Sequence, residues 1–208
     1  MTTSNLPSVG IVGAGSIGRA MARHFLNAGC RVVLSNSRGP ESLAATIVEL
    51  GGGDVGVTAG TVTEALAADI VVLSVTWPHL EPVLAAAPVW NGRIVIDATN
   101  PIINPGFKIA DLGGRASSEV VADLVPGARL VKAGNTFAAA MLAQSPILDG
   151  ARRVLFLCGD DADARKTVGG LMDAAGFAVI DLGTLASGAR LMQFPGGPLP
   201  GLDLLRPA

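Results

Sequence analysis

The sequence predicts an α/β protein built on a doubly wound, mostly parallel sheet. Three observations carry that reading. Short apolar runs alternate with longer stretches of helical periodicity along most of the chain, the pattern of strands joined by crossover helices. Several runs are nearly continuous Val, Ile and Leu, such as IVVL at residues 70–73, as parallel strands covered on both faces require. The first run leads straight into glycines at G-x-G-x-x-G spacing, and a helical segment follows them.

Strands are expected at residues 9–12, 31–35, 55–58, 70–75, 93–97, 129–133, 153–158 and 177–181. Helices are expected at 16–28, 40–50, 61–67, 79–86, 117–124, 137–143 and 161–175. In the first helix Ile17, Ala20, Met21, Phe25 and Ala28 recur three and four residues apart, which makes one apolar face. Arg19 and Arg23 point away from it, and Gly29 stands where a C-terminal cap belongs. His24, at the margin of that face, reads as a surface or interface histidine. From Gly183 onward the chain is rich in Gly, Pro and Leu, and FPGGPLPG admits no strand or long helix. The leucines of this tail favour docking on the body or on a partner subunit.

Composition excludes several function classes. At 208 residues the chain fits one domain with at most a small appendage. Half is hydrophobic and 15% is charged, enough for a large core and against disorder. The mean hydropathy of +0.50 comes from Ala, Gly and Val, and no apolar run approaches the ~20 residues that span a bilayer. The start MTTSNLPS lacks the regions of a signal peptide, so a soluble, cytoplasmic protein without a membrane partner is expected. A net charge of −2 and the lack of a basic run speak against nucleic acid. Cys30 and Cys158 lie far apart beside apolar runs, as buried free thiols do. With two histidines and no CxxC, no metal site is expected.

The stretch VGIVGAGSIG places Gly13, Gly15 and Gly18 between a strand and a helix. Gly13 suits the tight turn, Gly15 the close approach of a pyrophosphate, and Gly18 the packing of helix on strand. Ala14, Ser16 and Ile17 complete the loop and offer the helix N-terminus to phosphate. The motif makes the sheet Rossmann-type. An NAD site usually carries an acidic residue at the end of the second strand. Here that end reads Ser35, Asn36, Ser37 and Arg38, and no acid precedes Glu41. Hydroxyl, amide and guanidinium donors suit a 2′-phosphate, so NADP(H) is the expected cofactor.

Ligands in such sheets lie beyond the C-terminal ends of the strands. Ser74, Val75, Thr76, Asn100 and Pro101 fall there and are further candidate cofactor contacts. Trp77, His79, Asn135 and Thr136 are candidates for a second-ligand pocket. His79 could donate to a carbonyl or move a proton, or serve only as a helix start. Lys132, inside a strand, reads as a partnered structural lysine. There is no Tyr for a Tyr-x-x-x-Lys pair, and no Ser–His–Asp set or carboxylate dyad stands out. Hydride transfer between two bound rings needs none of these, because the cofactors carry the chemistry.

The segments VGIVGAGSIG, NSRGP, ADIVVLSVTWPH, DATNP, LVKAGNT and LFLCGDD together resemble the coenzyme F420-dependent NADP oxidoreductase family, or the broader group of short dinucleotide-binding reductases. That resemblance implies hydride passing between NADP(H) and coenzyme F420 or a flavin as second substrate, in a homodimer. Gly13, Gly15, Gly18, Ser37 and Arg38 match the family's NADP contacts, and Thr76, His79, Asn100, Pro101, Asn135 and Thr136 match the loops lining its second pocket. Ser42 stands where some members have a basic residue, and the Gly/Pro tail departs from their more helical ending. The expected division is an NADP(H)-binding body at 1–182 and a docked tail at 183–208. Alternative functions are NADPH-dependent reduction of a free flavin, a metal chelate or a small carbonyl or imine. A non-catalytic NADP(H)-binding redox sensor is the alternative outside enzymes.

Overall fold

The structure is a computed structural model that describes residues 6–52 and 56–207. Strand β1 (Ser8–Val12) runs into the glycine turn and helix α1 (Ser16–Asn27), and β2 (Arg31–Ser35) returns parallel to β1. Helix α1 ends in a Schellman turn. Gly29 takes φ 85°, its N–H donates to Leu26 O at 2.9 Å, and Cys30 N–H donates to Phe25 O at 2.9 Å. A 3-10 turn at Pro40–Leu43 precedes α2 (Ala44–Glu49), so the expected helix at 40–50 is split. Next come β3 (Val57–Ala59) and α3 (Val62–Leu66), which opens on a Thr61–Glu64 capping box. Val55, the expected first residue of β3, lies outside the described residues.

Strand β4 (Ile70–Leu73) is followed by a 3-10 turn at Trp77–His79, then α4 (Leu80–Leu84) and β5 (Ile94–Asp97). An unforeseen hairpin, β6 (Ile102–Ile103) and β7 (Lys108–Ile109), leads to α5 (Ser117–Leu124) and β8 (Arg129–Ala133). Then follow α6 (Ala139–Leu142), β9 (Ile147–Leu148), β10 (Ala151–Gly159), α7 (Ala162–Ala174) and β11 (Ala178–Asp181). The chain closes with α8 (Leu185–Met192) and β12 (Leu205–Arg206), neither of which the sequence announced.

The main sheet has the order β11-β10-β8-β5-β4-β1-β2-β3. It is parallel from β3 to β8. Strand β10 then pairs antiparallel with β8, through Leu157 opposite Ala133 and Cys158 opposite Lys132, and β11 runs parallel to β10. The fold class is therefore the expected Rossmann-type, mostly parallel α/β sheet. From β1 the chain winds outward through β2 and β3, then returns and winds the other way through β4, β5 and β8. That reversal makes the crevice between the C-terminal ends of β1 and β4 the topological switch point, where such sheets bind ligands.

Each face of the sheet buries its own core. On one face Met21 and Phe25 of α1 and Val168 and Met172 of α7 pack with Ile11, Val32 and Phe177. On the other, Leu84, Trp90, Val121 and Met192 pack with Val12, Leu73 and Phe156. Burying each such large side chain contributes ~1.5–3 kcal/mol. Both cysteines are free and buried, as expected.

Two expectations are corrected. The helix at 137–143 shrinks to α6, because Phe137 is buried in the core and Ala138 is extended at φ −62°, ψ 146°. His24 is not a surface residue: it is 2% exposed, and its Nε2–H donates to Leu142 O at 2.6 Å. Helix α6 covers the flank of α1 that periodicity left at the margin. The His24 ring also meets Phe177 edge to face, with centroids 4.7 Å apart.

Residues 194–201 turn without helix or strand and lie against the body. Phe194 N–H donates to Asn100 Oδ1 at 3.2 Å, and Gly201 N–H donates to Thr136 O at 2.8 Å. Further on, Val154 N–H donates to Leu204 O at 2.9 Å and Arg153 Nε donates to Asp203 Oδ1 at 2.9 Å.

Candidate functional site

The glycine turn is built as its spacing requires. Gly13 has φ 110°, a conformation that side chains rarely adopt, and a Cβ there would stand 2.6 Å from Ser74 O. A Cβ on Gly18 would collide with the Gly13 carbonyl, so α1 lies against the turn only because Gly18 has none. Gly15 differs: it is exposed and extended, and a Cβ there would meet nothing within 4 Å. The space over Gly15 is open to a ligand. Gly15 makes no side-chain cap and no acid stands in the first turn of α1, so the amides there are free for an anion. Ser16 is exposed beside them, and Ala14 and Ile17 are half-buried. The Ser74 hydroxyl lies 2.8 Å from Gly13 O, pinning the turn to the end of β4.

After β2, the four donors have different fates. Ser35 is fully buried and its Oγ donates to Ile11 O at 3.0 Å, so its side chain braces the sheet. Asn36 holds the loop in shape: its Oδ1 accepts Arg38 N–H at 2.9 Å and its Nδ2 donates to Ser42 Oγ at 2.8 Å. Ser37 and Arg38 are exposed. Among the described residues Arg38 pairs with no carboxylate.

A cleft of about 360 Å³ joins these parts. It is lined by Val12, Gly13, Ala14 and Gly15 of the glycine turn, by Asn36, Ser37 and Arg38 after β2, and by Val62, Val75, Thr76, His79 and Val83. No carboxylate lines it. Thr76 Oγ1 and His79 Nδ1 are 2.6 Å apart on exposed side chains. Trp77 is half-buried and packs on the core behind the 3-10 turn.

The ends of β5 and β8 form a second region. Asp97 and Lys132 are both fully buried, with Nζ 3.1 Å from Oδ2. Lys132 also donates to Thr99 O at 3.1 Å, and Ser118 Oγ donates to Asp97 Oδ2 at 2.7 Å. The other Asp97 oxygen accepts Thr99 N–H at 2.9 Å and Oγ1–H at 2.7 Å. Burial, the largest influence on Asp97, would raise its pKa. The Lys132 charge and the bonds from Ser118 and Thr99 outweigh it and hold the carboxyl below the usual range. Lys132 is thus the partnered lysine expected.

Beyond that pair, Asn100 Oδ1 accepts from Asn135 Nδ2 at 3.0 Å, and Asn135 Nδ2 also donates to Met192 O at 2.6 Å. Pro101, Asn135 and Thr136 are buried. Asn100, Asn135 and Thr136 bond to residues of the tail, Pro101 O accepts Ala110 N–H at 2.9 Å, and none of the four lines the cleft that holds Arg38. Sequence reasoning missed Asp97, Ser118 and Phe194 as members of this region. A signal for Asp97 existed: it and Lys132 are opposite charges inside otherwise apolar runs, and buried charges need partners. Burial pushes the Cys158 thiol up to about 12, which leaves it inert. Among the described residues no three His, Cys, Asp or Glu side chains group to hold a metal, and no helix is long and apolar enough to cross a membrane.

Known proteins share this construction. Residues 8–101 match the family of NADP oxidoreductases, coenzyme F420-dependent. A hypothetical protein of Sinorhizobium meliloti is 44% identical, with a TM-score of 0.88 over 96% of this chain and 95% of its own. A protein of Arthrobacter sp. assigned as an F420-dependent NADP reductase is 26% identical, with a TM-score of 0.72 over 88% of each chain. Metalloreductase STEAP3 of Rattus norvegicus is 31% identical over 193 residues, 91% of this chain. The chain spans 36% of the length of that relative. Residues 8–101 thus match the coenzyme F420-dependent NADP oxidoreductase family, and the likeness in fold to the Sinorhizobium and Arthrobacter proteins extends over most of the chain.

Proposed function

We propose that the protein transfers hydride between NADPH and coenzyme F420 or a similar flavin-like ring. The observation that carries the cofactor choice is the cleft at the β1–β4 crevice, which holds Ser37 and Arg38 and no carboxylate. A carboxylate there would accept the ribose hydroxyls of NAD and repel a 2′-phosphate. A guanidinium fork and a hydroxyl favour that phosphate.

In this reading the turn from Gly13 to Gly18 and the first amides of α1 hold the pyrophosphate. Arg38 and Ser37 hold the 2′-phosphate, while Asn36 keeps their loop in shape. Val75 and Thr76 border the nicotinamide half and His79 the acceptor side, while Ser74 pins the glycine turn and Trp77, Asn100, Pro101, Asn135 and Thr136 support these loops from behind. NADPH supplies the hydride when bound. The chain's part is to fix the geometry and keep water away, so no side chain need act as acid or base. Residues 1–182 form the binding body and 183–208 its docked tail, and the active form is a homodimer.

A second reading is reduction of a metal chelate, favoured by the 31% identity with Metalloreductase STEAP3. Stopped-flow mixing with NADPH and, in turn, F420, FMN and ferric citrate separates the readings. Oxidation of NADPH by F420 or FMN is expected. Oxidation by ferric citrate alone favours the second reading. Tight NADPH binding with no oxidation by any of them contradicts both and makes the protein a redox-sensing module.

A further inference from the structure

We propose that Phe107 and Phe194 form an aromatic corner that receives the flat heteroaromatic ring of the hydride acceptor and selects such rings over compact metal chelates. This rests on the oxidoreductase reading above and names the acceptor class. Phe107 lies at the tip of the β6–β7 hairpin, 55% exposed and at φ 52°. A bulky residue seldom occupies the left-handed region. Holding an apolar ring in water in that conformation does little for the stability of the chain, and strained positions of this kind gather at ligand sites.

Phe107 does not stand alone. Its ring meets that of Phe194 edge to face, with centroids 5.9 Å apart and planes at 70°. Phe194 is 39% exposed, and its amide is tied to Asn100 Oδ1 at 3.2 Å, at the C-terminal end of β5. Strand β6 packs against the 3-10 turn that carries His79, and His79 borders the nucleotide cleft. Ile109, two residues beyond Phe107, is likewise 56% exposed. The hairpin that carries Phe107 is thus seated on the turn of His79, and Phe194 is tied to the loop that follows β5.

Two phenyl rings at a steep angle make a corner that suits a third ring. A planar heterocycle can stack offset on one face while meeting the other ring edge-on. A hydrated metal chelate has no flat apolar face to place there, so the corner favours the ring acceptors within the proposed function. It also makes the tail, through Phe194, a determinant of acceptor choice.

The test is titration of the full chain with FMN, followed by fluorescence without nucleotide, for wild type, Phe107→Gly and Phe194→Ala; F420 is titrated in parallel. The FMN Kd is expected to rise at least about fivefold in both variants, the loss of an aromatic contact. NADPH affinity is expected to stay within about twofold, the ordinary scatter for a group that does not touch the nucleotide. Phe107→Gly should melt no lower than wild type, since glycine accepts the positive φ. Wild type that binds neither FMN nor F420 would overturn the proposal, as would variants with unchanged FMN affinity. If Phe107→Gly instead turns a dimer into monomers with FMN affinity unchanged, the rings are a subunit contact and the proposal also falls. NADPH oxidation is measured separately, so failure of the oxidoreductase reading is distinguishable from failure of the corner.

Discussion

Lys132 Nζ stands 3.1 Å from Asp97 Oδ2 with both side chains fully buried. The pair joins β5 to β8, and through Ser118 and Thr99 it also fixes the start of α5 and the loop that carries Asn100. Withdrawing two charges from water is costly, and their attraction offsets that cost only when every remaining bond is made. Here Asp97 accepts from Lys132, Ser118 and Thr99.

Lys132→Met should therefore cost about 3–5 kcal/mol at neutral pH, because it strands a buried carboxylate. Urea unfolding at pH 7 checks this. The pH dependence has a definite sign. With Asp97 held below its unfolded pKa of ~3.9, the wild type keeps this stabilisation above that value and loses it as pH falls through the folded one. Without Lys132 the carboxyl rises, and acid neutralises it. The deficit of the variant should shrink between pH 7 and pH 4. A constant deficit would contradict the pairing.

His24 gives a second pH signature. Burial pushes its imidazole below the usual value, against the opposing bond to Leu142 O, and nearby Arg23 pushes the same way as burial. The unfolded chain then takes up this proton first, near its ordinary ~6.5. Stability is full above that pH and falls as pH drops through the folded value. Melting temperatures from pH 7.5 to 5.5 should decline in the wild type and decline less in His24→Gln. Parallel slopes would contradict a buried neutral histidine.

Gly15 and Gly18 should separate binding from folding. Gly15→Ala adds a Cβ into open space on an extended backbone, so melting should hold while NADPH affinity drops at least about tenfold, as expected if pyrophosphate needs that space. Gly18→Ala sets a Cβ against the Gly13 carbonyl and should lower both stability and affinity. Calorimetry with NADPH titration measures both. Unchanged affinity in Gly15→Ala would move the pyrophosphate elsewhere.

The tail offers a fourth expectation. Arg153 is 5% exposed and shares its guanidinium among Ser145 O, Gln144 and Asp203. Asp203→Ala leaves the cation short of its carboxylate and should cost about 1–3 kcal/mol. Equal stability in urea would mean that the last residues do not hold to the body.

Much of this fold was legible because β1, β2, β4 and β5 are apolar runs with a regular crossover between them, and the glycine turn fixes where they begin. The Schellman end of α1 follows from Gly29 alone. Pairing across long separations was not legible. Nothing local to Ala151–Gly159 says that β10 runs antiparallel to β8, or that α6 buries His24. At the site, Ser37 and Arg38 stand open as their position suggested, but Ser35 and Asn36 are engaged by the protein itself. Residue type marks a donor; only the fold tells whether its bonds are already made. The hairpin carrying Phe107 is two short pairs of residues, below the length at which alternation can be read.

The most direct test of the account is the Kd of NADPH and NADH for wild type and Arg38→Ala. Loss of a charge-assisted bond to the 2′-phosphate should weaken NADPH by roughly 1.5–3 kcal/mol, about 10- to 150-fold, and leave NADH nearly unchanged. Equal losses for both nucleotides, or a wild type that prefers NADH, would contradict it.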